Sequence, residues 1–204
     1  MQKVLLAVDA MSTWLGKLAA WTVVGLTALI SWEVFSRYAL NRPHAWVLDA
    51  QIMLYGTLFM LAGAYTLSKN GHVRGDVLYG FLRPRTQATI DLVLYVVFFL
   101  PGIVALTWAG WIYAQESLAI REQTFSADPL PLYPFKFVIP LAGLALLLQG
   151  AVEIVRCVLC LRDGQWPSRE RDVEEVDVDK LKEMVHVKDA DEDPVHAGTS
   201  GSGR

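Results

Sequence analysis

The sequence predicts an all-α integral membrane protein with four transmembrane helices, and three observations carry that prediction. Hydrophobic residues make up 53% of the 204 and charged residues only 19%, a composition too apolar for a domain with a watery surface. Four runs, 18–32, 50–67, 92–114 and 137–152, contain no Asp, Glu, Lys or Arg. Roughly 20 apolar residues rising 1.5 Å each cross a ~30 Å hydrocarbon core. The third run is apolar all round, whereas a helix of a soluble bundle keeps a polar face.

Taken in order, the spans are expected at 18–40, 48–68, 88–114 and 135–161, within a membrane domain over 15–162. Ahead of the first, Val4, Leu5, Val8, Met11 and Leu15 fall at helical spacing with Lys3, Asp9 and Ser12 between them. Residues 1–14 therefore read as an interfacial amphipathic helix, or equally as a lengthening of the first span. No small-residue cleavage site precedes Lys17, so a cleaved secretory signal is not expected. Pro43 suits the first turn of the second helix, and Asp49 would lie near that helix's positive end. Pro101-Gly102 and Pro140 fall inside the third and fourth spans, where proline kinks a membrane helix. The fourth span reaches past residue 152 if Glu153 and Arg156 snorkel to the interface. Small residues that permit close helix contact are Gly56, Gly63, Ala105, Ala109, Gly143 and Gly150.

Charge divides the chain. Residues 1–162 hold 12 basic and 9 acidic side chains, and 163–204 hold 6 basic and 12 acidic. The last segment is an acidic tail whose charge density predicts disorder. Lys3, Lys17, Lys69, Arg74, Arg83, Arg85, Arg156 and Arg162 fall on the side of the N-terminus; Arg37, Arg42, Arg121 and Lys136 fall on the other. Eight against four places both termini in the cytoplasm. Trp32, Tyr38, Trp46, Trp108, Trp111, Tyr113 and Tyr133 then form an outer aromatic belt. The basic residues are scattered at span edges rather than gathered on one face, so no nucleic-acid partner is expected; the lipid bilayer is.

Candidate chemistry is sparse. Cys157 and Cys160 form a Cys-x-x-Cys pair, which raises a stand-alone membrane thiol redox or quinone-handling protein as the alternative function. The pair lies in an apolar helix end, where thiols are usually inert, and no His or further Cys joins it to bind metal. His44 and His72 fall at opposite membrane ends, with His186 and His196 in the tail, so no histidine pair can hold haem between helices. No cofactor, metal or catalytic residue is expected, and the chain does not read as an enzyme.

Two short elements at span ends are more informative. Glu33 and Arg37 sit four apart with the acid first, a favourable helical ion pair that could anchor the helix end, meet headgroups or reach a partner. Arg37, Tyr38, Asn41, Pro43 and Trp46 form the pattern Arg-Tyr-x-x-Asn-x-Pro-x-x-Trp, followed by Asp49. At the end of the second span, Gly63 and Ala64 are followed by Gly71, His72, Val73 and Asp76. Gly71 permits a sharp helix exit, and His72 and Asp76 can bond backbone groups freed there.

With these elements the stretch 14–161 resembles the small membrane subunit (DctQ, or Q-type) of tripartite ATP-independent periplasmic (TRAP) transporters. The resemblance implies two partners, a large M-type membrane subunit that carries the transport path and a P-type periplasmic solute-binding protein. It implies a complex in the bacterial inner membrane that imports organic acids, chiefly carboxylates, on a sodium gradient. The chain itself would be a scaffold bracing the large subunit. Glu33, Arg37, Tyr38, Asn41, Pro43, Trp46, Asp49, Gly63, Gly71, His72 and Asp76 are the family-motif or partner-interface candidates.

Overall fold

The first helix does not begin where its apolar run begins. In the computed structural model, which describes residues 2–69, 79 and 82–167, α1 runs unbroken from Gln2 to Ala39. Then come α2 (Trp46–Ser68), α3 (Pro84–Leu94), a π-helical turn (Tyr95–Phe99), α4 (Leu100–Ala119), the short α5 (Tyr133–Lys136) and α6 (Val138–Asp163). They make four rods long and apolar enough to cross a membrane: Lys3–Ala39, Trp46–Ser68, Pro84–Ala119 and Tyr133–Asp163. The expected all-α, four-span architecture is the one the chain adopts. Residues 70–78 and 168–204, and with them Gly71, His72, Asp76 and most of the acidic tail, lie outside the described residues.

The N-terminal stretch lengthens the first helix, the second of the two readings the sequence left open, and one of its faces turns inward. Val4 and Met11 are exposed, while Leu5, Asp9, Ser12 and Ala19 are buried. With Gly16, which lies against the Tyr65 side chain of α2, these residues recur every three or four positions and so share one helix face. In a bilayer the lipid solvates apolar side chains as well as a protein core does, so the polar and small residues turn inward.

Helix contacts are set by missing side chains. A Cβ on Gly56 would lie 2.7 Å from the Phe135 ring, and one on Gly110 would lie 2.7 Å from Ile139. Gly143 packs on Thr107 and Gly150 on Phe99, both closer still, and Gly63 faces Leu146 at ordinary contact distance. Thus α6 is gripped by α4, the π turn and α2, and it is the most buried of the four rods, 44% of its apolar window against 6% for the third. Ala105 and Ala109 do not belong to this contact; both are exposed, and Gly110 takes the inward place.

Prolines act differently from the simple kink expectation. Pro101 has no N–H to give the Val97 carbonyl, and its ring crowds that turn. The helix answers with the π turn just before it, where the Leu100 N–H reaches back to the Tyr95 carbonyl. Pro140 sits third in α6, in the first turn, and the Lys136 carbonyl it cannot serve coincides with the break at Phe137 between α5 and α6. Pro43 does not open α2 either. It stands in the irregular link 41–44, and α2 begins at Trp46 with Asp49 in its first turn.

Helix ends are closed by left-handed residues. Asn41 (φ 51°) ends α1, with the Arg42 N–H bonded to the Ser36 carbonyl at 3.0 Å. Arg121 (φ 48°) ends α4, with the Glu122 and Arg121 N–H groups bonded to the Ser117 and Leu118 carbonyls, the paired bonds of a Schellman cap. Gly164 (φ 78°) closes α6, its N–H 2.8 Å from the Cys160 carbonyl.

Candidate functional site

Three polar clusters organise the bundle, one at the end carrying the α1–α2 turn, one under the α4–α5 loop, and one near the opposite end. At the first, Glu33 is buried on α1. Its Oε1 accepts from Arg37 Nη2 at 2.9 Å and from the His44 backbone N–H at 3.2 Å, while Oε2 meets His44 Nδ1 at 3.1 Å. Ser36 Oγ donates to the Arg42 carbonyl at 2.8 Å. One carboxylate and one hydroxyl of α1 therefore fold the 40–45 link back onto the helix that precedes it. Trp46 is half-buried, its ring 6.3 Å from that of His44. Of the expected residues, Glu33, Arg37, Asn41 and Trp46 meet in this turn together with Pro43. Tyr38 points away, 80% exposed, and Gly63 lies apart on α2 against α6. His44 was not among the expected site residues; eleven positions from Glu33, it shows no helical spacing that would pair them.

The second cluster seats the α4–α5 loop. Lys136 is buried, ion-paired with Glu122, and stands 3.7 Å from the centre of the Tyr113 ring. The loop crosses back on itself, the Thr124 N–H bonding the Leu130 carbonyl and the Leu132 N–H the Glu122 carbonyl, both at 2.9 Å. Thr124 Oγ1 accepts the Leu130 N–H, and the hydroxyls of Thr124 and Ser126 face the Asp49 carboxylate of α2. Asp49 is therefore a seat for this loop rather than a member of the α1–α2 turn.

The Lys136 ammonium holds the Glu122 carboxyl below the usual carboxylate range. A depressed carboxylate stabilises the folded form above its unfolded value of about 4.3, and that support is lost as pH falls through the lower folded value. Hydrogen exchange at the Thr124 and Leu132 amides should then be flat from neutral pH to about 4.3 and quicken below it, beyond its intrinsic pH dependence. Glu122→Gln should remove that acid step; an identical acid response in the variant would show that the ion pair does not seat the loop.

The third cluster was missed in the sequence. Arg156 on α6 donates through Nη1 to Glu153 Oε1 at 2.8 Å and through Nη2 to Asp9 of α1. Gln149 Nε2 donates to Asp9 Oδ1 at 2.9 Å, and Ser12 Oγ donates to Gln149 Oε1 at 2.8 Å. All five side chains are buried, so Glu153 and Arg156 do not snorkel: a partner across the helix interface gives them a better environment than headgroups would. Gln149, Glu153, Arg156 and Cys160 recur at helical spacing on one face, and Asp9 and Ser12 do so on α1. That double polar register was the available signal. Further along α3, Asp91 is buried and accepts from Tyr79 Oη at 2.7 Å.

Cys157 and Cys160 are both buried on α6, and Cys160 Sγ lies 3.7 Å from the Pro84 carbonyl. Among the described residues no three His, Cys, Asp or Glu side chains are grouped to hold a metal ion.

A family model described as tripartite ATP-independent periplasmic transporters, DctQ component, matches residues 26–160, 135 of the 204. The chain belongs to the DctQ family. It is the small membrane subunit of a tripartite transporter, and other subunits of that transporter are its partners in kind. No curated protein matches it. The DctQ match takes in the Glu33 and Lys136 clusters entirely. It covers only the α6 half of the Arg156 cluster, since Asp9 and Ser12 precede residue 26.

Proposed function

We propose that this DctQ-family chain is the fixed scaffold of an importer of organic acids, chiefly carboxylates, driven by a sodium gradient in the bacterial inner membrane. It braces a large membrane subunit that carries the solute, and a soluble solute-binding protein delivers that solute from outside. Both termini face the cytoplasm, on the strength of eight basic residues against four at the span ends.

One observation supports the scaffold role above others. The buried charges Asp9, Glu33, Asp91, Lys136, Glu153 and Arg156 each have a bonded protein partner. A conducting path needs ionisable groups open to a cavity at mid-membrane; here they are consumed in fastening helices and loops. Of the motif residues, Glu33, Asn41, Pro43 and Trp46 shape the turn, while Arg37 and Tyr38 face outward and are offered to a partner. Gly63 serves helix packing. The thiol-redox alternative finds no support in this arrangement, because burial leaves neither cysteine an approach for a dithiol partner.

Reconstitution tests the reading. Liposomes holding this chain with its large subunit and supplied with the solute-binding protein should accumulate a carboxylate when a sodium gradient is imposed. Liposomes lacking any one component should not. Uptake by this chain alone, or undiminished uptake without it, would refute the scaffold assignment.

A further inference from the structure

The first half of α1 turns its one carboxylate inward and its cations outward. Asp9 is the only acidic residue of 2–32, and it is buried against Arg156 of α6. Lys3 and Lys17 are exposed, and among the described residues neither has an ion-pair partner. At about 100° per residue, Lys3, Trp14, Lys17 and Trp21 fall within an arc of about 60°, on the side turned away from Asp9 and Gly16. Both indoles are open, Trp14 at 63% and Trp21 at 72%.

Lys17 stands between those indoles. At 1.5 Å per residue, Trp14 lies about 4.5 Å behind it along the helix and Trp21 about 6 Å ahead. Lys3 is about 21 Å away by the same measure, too far to share a headgroup. Lys17 also opens the uncharged run 18–32. A lysine there keeps its methylenes among apolar neighbours and carries its ammonium to the level of the phospholipid phosphates. Indoles settle at that level too, with the ring toward acyl chains and the N–H toward polar oxygens.

Charge selects the occupant. Among the described residues the exposed carboxylate at this end of the bundle is that of Asp163, and Arg162 engages it at 3.0 Å. Asp9, Asp91 and Glu153 are buried. A cation at the edge of the hydrocarbon, unmatched by the protein and flanked by two open indoles, complements a lipid phosphate that carries net negative charge. We infer that Trp14, Lys17 and Trp21 form a site for one anionic glycerophospholipid, with its phosphate at the Lys17 ammonium and its glycerol and upper acyl chains against the indoles. The site does not depend on the solute or the driving ion proposed above.

The test counts bound lipid by native mass spectrometry. The complex of this chain with its large membrane subunit, in mild detergent, is titrated with phosphatidylglycerol and separately with phosphatidylcholine of the same acyl chains. Lys17→Gln should weaken the tightest phosphatidylglycerol site about fivefold and leave phosphatidylcholine binding unchanged. Lys17→Arg should keep the site, and Trp14→Leu with Trp21→Leu should weaken it. Lys3→Gln removes the same charge from the same face and should leave the site as it is. An unchanged affinity in Lys17→Gln would overturn the assignment. Equal weakening by Lys3→Gln would also overturn it, since the effect would then be one of net charge. Loss of co-purification with the large subunit in Lys17→Gln would place this face in a protein interface, and the lipid site would fall while the scaffold reading stood.

Discussion

Arg156→Leu is expected to destabilise the folded chain by about 3–5 kcal/mol, the cost of breaking a buried ion pair by removing one partner. The guanidinium is the one cation in a buried group that also holds Asp9 and Glu153. Without it two carboxylates would face each other across the α1–α6 contact with no counter-charge. Cys157 and Cys160, buried beside the network, give the readout, since their reaction with a thiol probe in detergent should begin at a much lower temperature. The companion variant Asp9→Asn, Glu153→Gln, Arg156→Leu should regain most of the loss, because a neutral network can still hydrogen-bond and replacing a whole buried charge group is often near neutral. A shift in the single variant equivalent to less than about 1 kcal/mol would mean that water reaches the cluster.

Gly143→Leu should separate α6 from α4. Even a first carbon on Gly143 would come within 3.2 Å of Thr107 Cβ and 3.3 Å of Thr107 Cα. A backbone atom cannot rotate away as a flexible side chain can. Overpacking of this kind costs about 1–3 kcal/mol, and α6, the rod that contacts the other three, has nowhere to yield. Gly25→Leu is the matched control, since nothing lies within 4 Å of the Cβ it would carry. Thermal unfolding should fall for the first variant and hold for the second; equal melting curves would show that the tight crossing is not a constraint.

The four spans were legible because uncharged runs of membrane length have no other cheap environment. Only the start of the first span lay far from its expected place, and Asp9 shows why. A charge ahead of an apolar run reads as the end of a span, yet this one is paired with Arg156 and lets the helix continue. Which face of α1 turns inward was not assigned from the sequence, for a related reason. In water the apolar stripe marks the core, but in lipid Val4 and Met11 lose nothing by facing out, so only polar and small residues show which way is in. The Arg37–Trp46 pattern did locate a real turn. Asn41 is legible there through its tolerance of the left-handed region, whereas the contribution of His44 depends on a chain reversal that no local period encodes. The seat that Asp49 gives to Thr124 and Ser126 joins segments some 75 residues apart, and nothing near either one announces it.

The π turn at Tyr95–Phe99 also bears on how many residues this rod can hold. At 3.6 residues per turn each residue advances about 100°, so an unbroken α-helix from Pro84 would leave the buried pair Ala88 and Asp91 about 80° away from the buried set Gly110, Ala114 and Ser117. Absorbing one surplus residue in a wider turn brings the two sets to within roughly 20–30° of each other, so that both look at α6. In length terms the segment behaves as a one-residue insertion already accommodated. Shortening it by one residue would preserve both faces, whereas lengthening it by one would turn one half of the rod away from the bundle.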